Sequence, residues 1–162
     1  MQMNLENIKR KISAIPDPEV PVLTIEDLGI IRNIEFTDRL VVTITPTYSG
    51  CPAMQYIEKN INEICSANGF ENVLVNTVLS PAWTTDWLSE EGKKKLIAYG
   101  IAPPEKTSFN KGLLLSEDEK IVACPQCKSV NTNMISQFGS TACKALYKCE
   151  TCLETFDYFK CI

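Results

Sequence analysis

Cys124 and Cys127 in CPQC, and Cys149 and Cys152 in CETC, form two Cys-x-x-Cys pairs with 21 residues between them. That spacing suits two β-knuckles closing on one tetrahedral ion. Four thiolates satisfy zinc, and a tail of roughly 40 residues is too small to fold on its apolar core alone. Two disulfides are the competing reading, disfavoured in a reducing compartment. A sulfur-only tetrahedral site also suits iron of the rubredoxin kind. Cys143 and Cys161 lie off the paired spacing. They read as small buried or half-buried residues, with a redox thiol or a replacement ligand as the alternatives. Tyr147, Phe156, Tyr158 and Phe159 read as packing residues of the ribbon. The tail carries four lysines and three acidic residues. Four thiolates on a dication add two negative charges, so this does not look like a phosphate-binding ribbon.

Cys51 is a thiol of another kind. It stands in TITPTYSGCPAMQYI, after a β-like run and before Pro52. Proline is favoured at the first helical position, which makes Cys51 the expected N-cap. The unpaired N–H groups and the positive dipole end of a helix would lower its pKa and stabilise a thiolate. Ser49 and Gly50 leave room for a ligand. Such a thiolate would attack an electrophile or bind a soft metal such as iron; the plain alternative is a small cap. Cys65 lies beside the apolar stripe of the same helix and reads as a core thiol.

Asp17 and Glu19, in PDPEVP, would reach Cys51 if the first loop folds over the helix start; otherwise they are solvated loop carboxylates. Trp83, Asp86 and Trp87, in SPAWTTDW, follow a strand and open a helix. Thr85 or Asp86 is expected to cap that helix, and both tryptophans would serve a core. Tryptophan also anchors interfaces, so this edge is a candidate docking surface.

The elements that must position these residues follow from periodicity. Leu5, Ile8, Ile12 and Ile15 make one apolar helical stripe. PDPEVP stops that helix with three prolines. IIRNIEF and LVVTITPT are β-branched runs joined by Thr37-Asp38-Arg39, a hairpin. Met54, Ile57, Ile61 and Ile64 predict a helix over 51–67, stopped by Gly69. ENVLVNTVLS is a third strand. TDWLSEEGKKKLIAYG is a further helix, with Glu90–Lys94 and Glu91–Lys95 in the favourable i,i+4 order and Gly100 and Pro103-Pro104 at its end. The expected fold class is α+β: a small α-β-β-α-β-α domain with a three-stranded sheet over 1–102, a linker over 103–120, and a small all-β zinc-ribbon domain over 121–162.

The bulk numbers narrow the chemistry. Histidine is absent, which excludes His-based triads, His-bound metal and imidazole acid–base work within this chain. A net charge of -4 argues against nucleic acid as the main partner. No run approaches the roughly 18 consecutive apolar residues of a membrane span. MQMNLENIKRK lacks a basic stretch followed by an apolar run and a small-residue cleavage site, so no secretory signal is expected there. A cytoplasmic setting follows as the expectation, with the eight cysteines kept as reduced thiols or metal ligands.

DPEVPVLTIEDLGII, VTITPTYSGCPAM and SPAWTTDWLSEEGKKKL resemble the SufT-like iron–sulfur assembly domain family. CPQCKS…SQFGSTACKALYKCETCLETFDYFK narrows the likeness. Nearly all of residues 5–162 resemble the PaaD (PaaJ)-type accessory family of the bacterial phenylacetate pathway, encoded with phenylacetyl-CoA epoxygenase. The resemblance implies a non-catalytic accessory or maturation factor that assists iron–sulfur assembly or insertion. It implies as client the reductase component, which resembles a flavin reductase with a plant-type ferredoxin centre, and other iron–sulfur assembly proteins as further partners. It puts the family's key cysteine on Cys51, its acidic loop on Asp17 and Glu19, and its ribbon ligands on Cys124, Cys127, Cys149 and Cys152. One thiolate cannot hold a cluster that takes four cysteines, so iron or a cluster would be held transiently, and a shared cluster would favour a homodimer. A structural subunit of the oxygenase is the alternative function, and a thiol enzyme, lacking a base or an oxyanion site, ranks below both.

Overall fold

The computed structural model describes residues 4–104 and 122–160. Cys161 and nearly all of the expected linker lie outside them. The chain divides into two compact units, Met1–Gly92 and Lys93–Ile162.

In the first unit, α1 (Leu5–Ser13) begins where the Asn4 side chain accepts the Asn7 N–H at 3.1 Å. Its stripe buries Ile8 and Ile12, and Ile15 follows them into the core. Strands β1 (Ile31–Phe36) and β2 (Leu40–Ile44) pair antiparallel as the expected hairpin. Helix α2 (Ala53–Ala67) then carries the chain across, so that β3 (Val73–Thr77) returns parallel to β2. A parallel pair requires such a crossover. The sheet order is β1-β2-β3. Leu40, Val42 and Ile44 alternate into the core, and α2 contributes Met54, Ile57, Ile61 and Cys65. Each fully buried aliphatic side chain of this set stabilises the unit by about 1.5–3 kcal/mol.

The proline-rich segment does more than stop α1. Val20, Leu23, Ile25, Leu28 and Ile30 are all buried. The Thr24 N–H and hydroxyl both donate to Asp27 Oδ2 at 3.0 Å, while the Asp27 N–H donates to Thr24 Oγ1 at 3.0 Å. This reciprocal turn fixes the direction in which the chain enters β1.

The third helix differs from expectation. Thr85–Trp87 is a single 3-10 turn without a side-chain cap, and Leu88 leaves it in an extended conformation. Ser89, rather than Thr85 or Asp86, caps the helix: its Oγ accepts the Gly92 N–H at 2.8 Å, and α3 runs Glu90–Ala98. Asp27 is the cause. Its carbonyl accepts the Ser89 N–H at 2.8 Å and its Oδ1 accepts the Ser89 hydroxyl at 3.2 Å, which pins the break.

The second unit is a four-stranded sheet. It contains β4 (Ile101–Ala102), β5 (Thr132–Ser136), β6 (Lys144–Cys149) and β7 (Thr155–Phe159), in the order β4-β7-β6-β5. β4 lies parallel to β7, and the other pairs are antiparallel. Residues 101–102, expected from sequence in the first domain, therefore belong to the second sheet, where Ile101 pairs with Asp157 and Ala102 with Tyr158. The core holds Ala102, Val122, Ala145, Tyr147, Phe156 and Tyr158 around Cys124 and Cys149. Tyr147 stacks on Phe156 at 5.9 Å and meets Tyr158 edge-on at 5.7 Å, so these aromatics are packing residues. Among the described residues no helix is long and apolar enough to cross a membrane.

Candidate functional site

Two places carry chemistry, one in each unit. In the second, the sulfur atoms of Cys124, Cys127, Cys149 and Cys152 all lie within 4.8 Å of one another. Cys124 Sγ and Cys152 Sγ are 3.7 Å apart, and Cys127 Sγ and Cys149 Sγ are 3.6 Å apart. A disulfide requires about 2.05 Å. Tetrahedral sulfurs at about 2.3 Å from a zinc ion stand about 3.8 Å from one another. The donor set fits one metal ion and not two cross-links.

Local backbone chemistry explains why the thiols converge. The Lys128 N–H donates to the Cys124 carbonyl at 2.9 Å, and the Leu153 N–H donates to the Cys149 carbonyl at 3.0 Å. The Cys124 N–H bonds the Ser129 carbonyl, and the Cys149 N–H bonds the Glu154 carbonyl, both at 2.9 Å. Lys128 and Leu153 share a left-handed backbone, with φ of 65° and 66°. CPQCK and CETCL are thus the same knuckle made twice, facing each other. The Cys152 N–H lies 3.5 Å from Cys149 Sγ. That N–H is the foremost reason the Cys149 thiol is lowered to about 6. Cys152 is pushed up to about 12; the Glu154 N–H opposes the rise, but desolvation and the crowding of Cys149, Cys127 and Cys124 prevail. Four thiolates cannot coexist here without a cation. Cys143, off this cluster, is buried with its sulfur 3.1 Å from Thr141 Oγ1, which matches the bland reading of it.

In the first unit, Cys51 lies between the end of β2 and α2. Pro52 occupies the cap position and Cys51 sits one residue further out. The thiol is 9% exposed, and burial pushes its pKa up, not down as the helix terminus alone would have done. The Ala53 N–H and the Tyr48 hydroxyl bond the sulfur and work in the opposite direction. The charges of Glu19 and Asp17 both act on the sulfur and favour its protonated form. The loop does fold over the helix start, and it brings two carboxylates to the thiol.

Asp17 has a structural task as well. It is buried, and its Oδ1 accepts the N–H groups of Glu19 and Val20, both at 2.8 Å. The Asp17 N–H itself bonds the Leu23 carbonyl at 2.9 Å. Asp17 therefore builds the turn that presents Glu19. Tyr48 is a site residue that sequence reasoning misses. It lies three residues before Cys51, and its only signal is an aromatic hydroxyl inside PTYSGC. Cys65 is fully buried on α2, and burial raises its thiol to about 11, as fits a core residue.

The tryptophan edge separates into three roles. Trp83 is buried, and its Nε1–H donates to the Leu28 carbonyl at 2.7 Å, so it is a core anchor rather than a docking residue. Trp87 is half-buried beneath Arg32, whose guanidinium carbon stands 3.8 Å from the ring centroid. Asp86 remains exposed.

An α+β unit with a buried, carboxylate-flanked cysteine before a helix, followed by a paired-knuckle ribbon, defines a class with known relatives. Residues 5–73 match the family model described as iron-sulfur cluster assembly protein, and residues 110–160 match the PaaD zinc beta ribbon domain. Over 152 residues the chain is 51% identical to a protein of Escherichia coli (strain K12) named as a subunit of 1,2-phenylacetyl-CoA epoxidase, covering 93% of this chain and 89% of that one. The chain belongs to the PaaD family, which includes that epoxidase component. Among solved structures it is similar to a domain of unknown function, DUF59, from Bacillus anthracis, with 27% identity and a TM-score of 0.51 over 57% of this chain and 90% of that one. It is also similar to the conserved hypothetical protein TM0487 from Thermotoga maritima, with 26% identity and a TM-score of 0.50 over 59% of this chain and 98% of that one.

Proposed function

We propose that this protein is a non-catalytic accessory factor of a phenylacetyl-CoA epoxidase system, and that it assists assembly or insertion of the iron–sulfur centre in the reductase component. Iron or a cluster is the cargo. The observation that carries this reading is the company Cys51 keeps. A nucleophilic cysteine is activated by positive charge or a base, which lowers its pKa. Here Glu19 and Asp17 do the reverse. Negative charge beside a sulfur disfavours a free thiolate and favours a cation that replaces the thiol proton. A thiol enzyme is therefore the poorer account, and a site that takes soft iron from one partner and yields it to another is the better one. One cysteine leaves most of a cluster's ligand positions to the donor or client, which makes release easy.

The ribbon serves as a structural or docking module in this account, with zinc as its resident ion held by Cys124, Cys127, Cys149 and Cys152. Zinc supplies fold stability there and no turnover, since a closed four-thiolate shell leaves no open position.

The test is the iron and acid-labile sulfide content of reductase purified from wild-type cells, cells lacking this protein, and cells carrying Cys51→Ala. Reductase short of both in the last two strains is the expected result. Normal content in all three removes the assembly reading. The relative's name favours one alternative, a structural subunit of the epoxidase; stoichiometric co-purification with normal reductase in the Cys51→Ala strain would establish it instead.

A further inference from the structure

We infer that the ribbon's outer strand β5 is a self-association edge, at which a second copy of this chain adds its own β5 antiparallel and joins the two ribbons into one continuous sheet. Among the described strands β5 pairs only with β6 and ends the sheet order. Natural sheets blunt such edges with charge, proline or short length. This edge has neither charge nor proline: between Lys128 and Lys144 the sequence holds no ionisable acid or base other than Cys143, and VNTNMISQF at 130–138 has no proline or glycine. It instead exposes Val130 at 63%, Met134 at 51%, Ile135 at 53% and Phe138 at 60%.

The backbone says what covers it. The Glu150 N–H donates to the Asn131 carbonyl at 2.9 Å, so Asn131 and Glu150 form a hydrogen-bonded pair of the antiparallel ladder. Alternation then turns the N–H and C=O of Asn133 toward Lys148, and those of Thr132 and Met134 outward. The Thr132 N–H, turned from β6, bonds the nearby Val130 carbonyl at 3.0 Å. An outward N–H and C=O at Met134 and an outward C=O at Thr132 call for another extended strand.

The side chains favour a copy of the same strand. A neutral strand meets itself without like-charge repulsion, and a two-fold axis through Thr132 sets Val130 opposite Met134 and Asn131 opposite Asn133 of the second copy. The bulge between Met134 and Ser136 limits the pairing to residues 130–134. Met134 also ends a row across the sheet, Met134–Tyr147–Phe156, whose inner members are buried. Val130 of the second copy would continue that row over the open side of Met134.

Self-association follows mass action, so the mass of the metal-loaded full chain is read by light scattering and sedimentation from about 1 to about 100 µM. The expected mass rises from 18.1 kDa toward twice that value. Met134→Lys puts a charge on the edge and should weaken association at least about tenfold, as like charges facing across a strand pair are unfavourable. Leu153→Lys, exposed on the same ribbon but off β5, should leave it unchanged. Hydrogen exchange of the Met134 amide supplies a readout that needs no variant: it should slow as concentration rises. A chain that stays monomeric at the highest concentration overturns the inference, as does an unprotected Met134 amide in the associated form. Association of a Met134→Lys variant that keeps its metal and matches wild type overturns it too. If only a different protein's strand protects the Met134 amide, the edge is a docking site for that partner and the self-association inference fails.

Discussion

The sulfur of Cys127 lies 3.6 Å from that of Cys149, although the residues are 22 positions apart in sequence. That separation is too long for a covalent bond between them and right for a shared ion. The purified chain should therefore carry about one zinc per molecule, and Cys127→Ser should lose it and unfold the ribbon, because structural zinc contributes about 10–16 kcal/mol at neutral pH. Elemental analysis alongside the dispersion of ribbon amide signals checks both. Retention of a folded ribbon after metal loss would contradict the prediction.

Cys51 should be a slow thiol. Its pKa is raised by burial and by Glu19 and Asp17, so alkylation of native protein at pH 7.5 should lag behind a free cysteine and accelerate only in alkali. Glu19→Gln removes one opposing charge, lowers the thiol pKa and should speed alkylation roughly two- to tenfold at a fixed pH, since one pKa unit is tenfold in thiolate. Peptide mapping by mass spectrometry after timed alkylation measures this. A faster wild type than Glu19→Gln would refute the electrostatic assignment.

Cys65 couples stability of the first unit to alkaline pH. The folded chain holds the thiol proton up to about 11, against an ordinary value of 9.0. The unfolded chain ionises first, so stability is full below pH 9 and is lost as pH climbs toward 11. Cys65→Ala should be less stable than wild type at pH 7 and should lose less stability between pH 8 and pH 10.5. Urea unfolding across that range, compared for the two proteins, is the measurement, and parallel losses would count against it.

Gly29→Ala should be among the most damaging single-methyl changes in the first unit. Gly29 has φ of +67°, and a Cβ there would stand 2.5 Å from the Trp87 carbonyl oxygen. Backbone strain and collision together should cost about 1–3 kcal/mol or more. Gly69→Ala, also at positive φ but with open space around it, separates the two effects: it carries the strain without the clash. Similar losses in both variants would mean that the approach of Trp87 is unimportant.

Periodicity alone locates α1, the β1–β2 hairpin, α2 and β3, because an apolar stripe or a β-branched run announces its own buried face. The ribbon is equally legible as a module, since Cys-x-x-Cys is a local instruction and each knuckle closes with bonds inside six residues. Sequence starts the third helix too early because its true start depends on Asp27, a residue 62 positions from Ser89. No local signal carries such a partner. Sequence likewise puts residues 101–102 with the wrong sheet, as a two-residue strand has no period to read.

The amino-acid order by itself determined which groups this protein has to work with: thiols and carboxylates but no imidazole, four cysteines in two self-folding knuckles, and one cysteine ahead of a helix. Only the tertiary structure decided what that last cysteine is. A helix terminus lowers a thiol pKa by a short-range local field, which sequence shows. Burial and the arrival of Glu19 and Asp17 from a loop more than 30 positions away raise it, and those depend on how the chain packs. The long-range contributions prevail, and they turn an expected thiolate into a protonated sulfur set among negative charge.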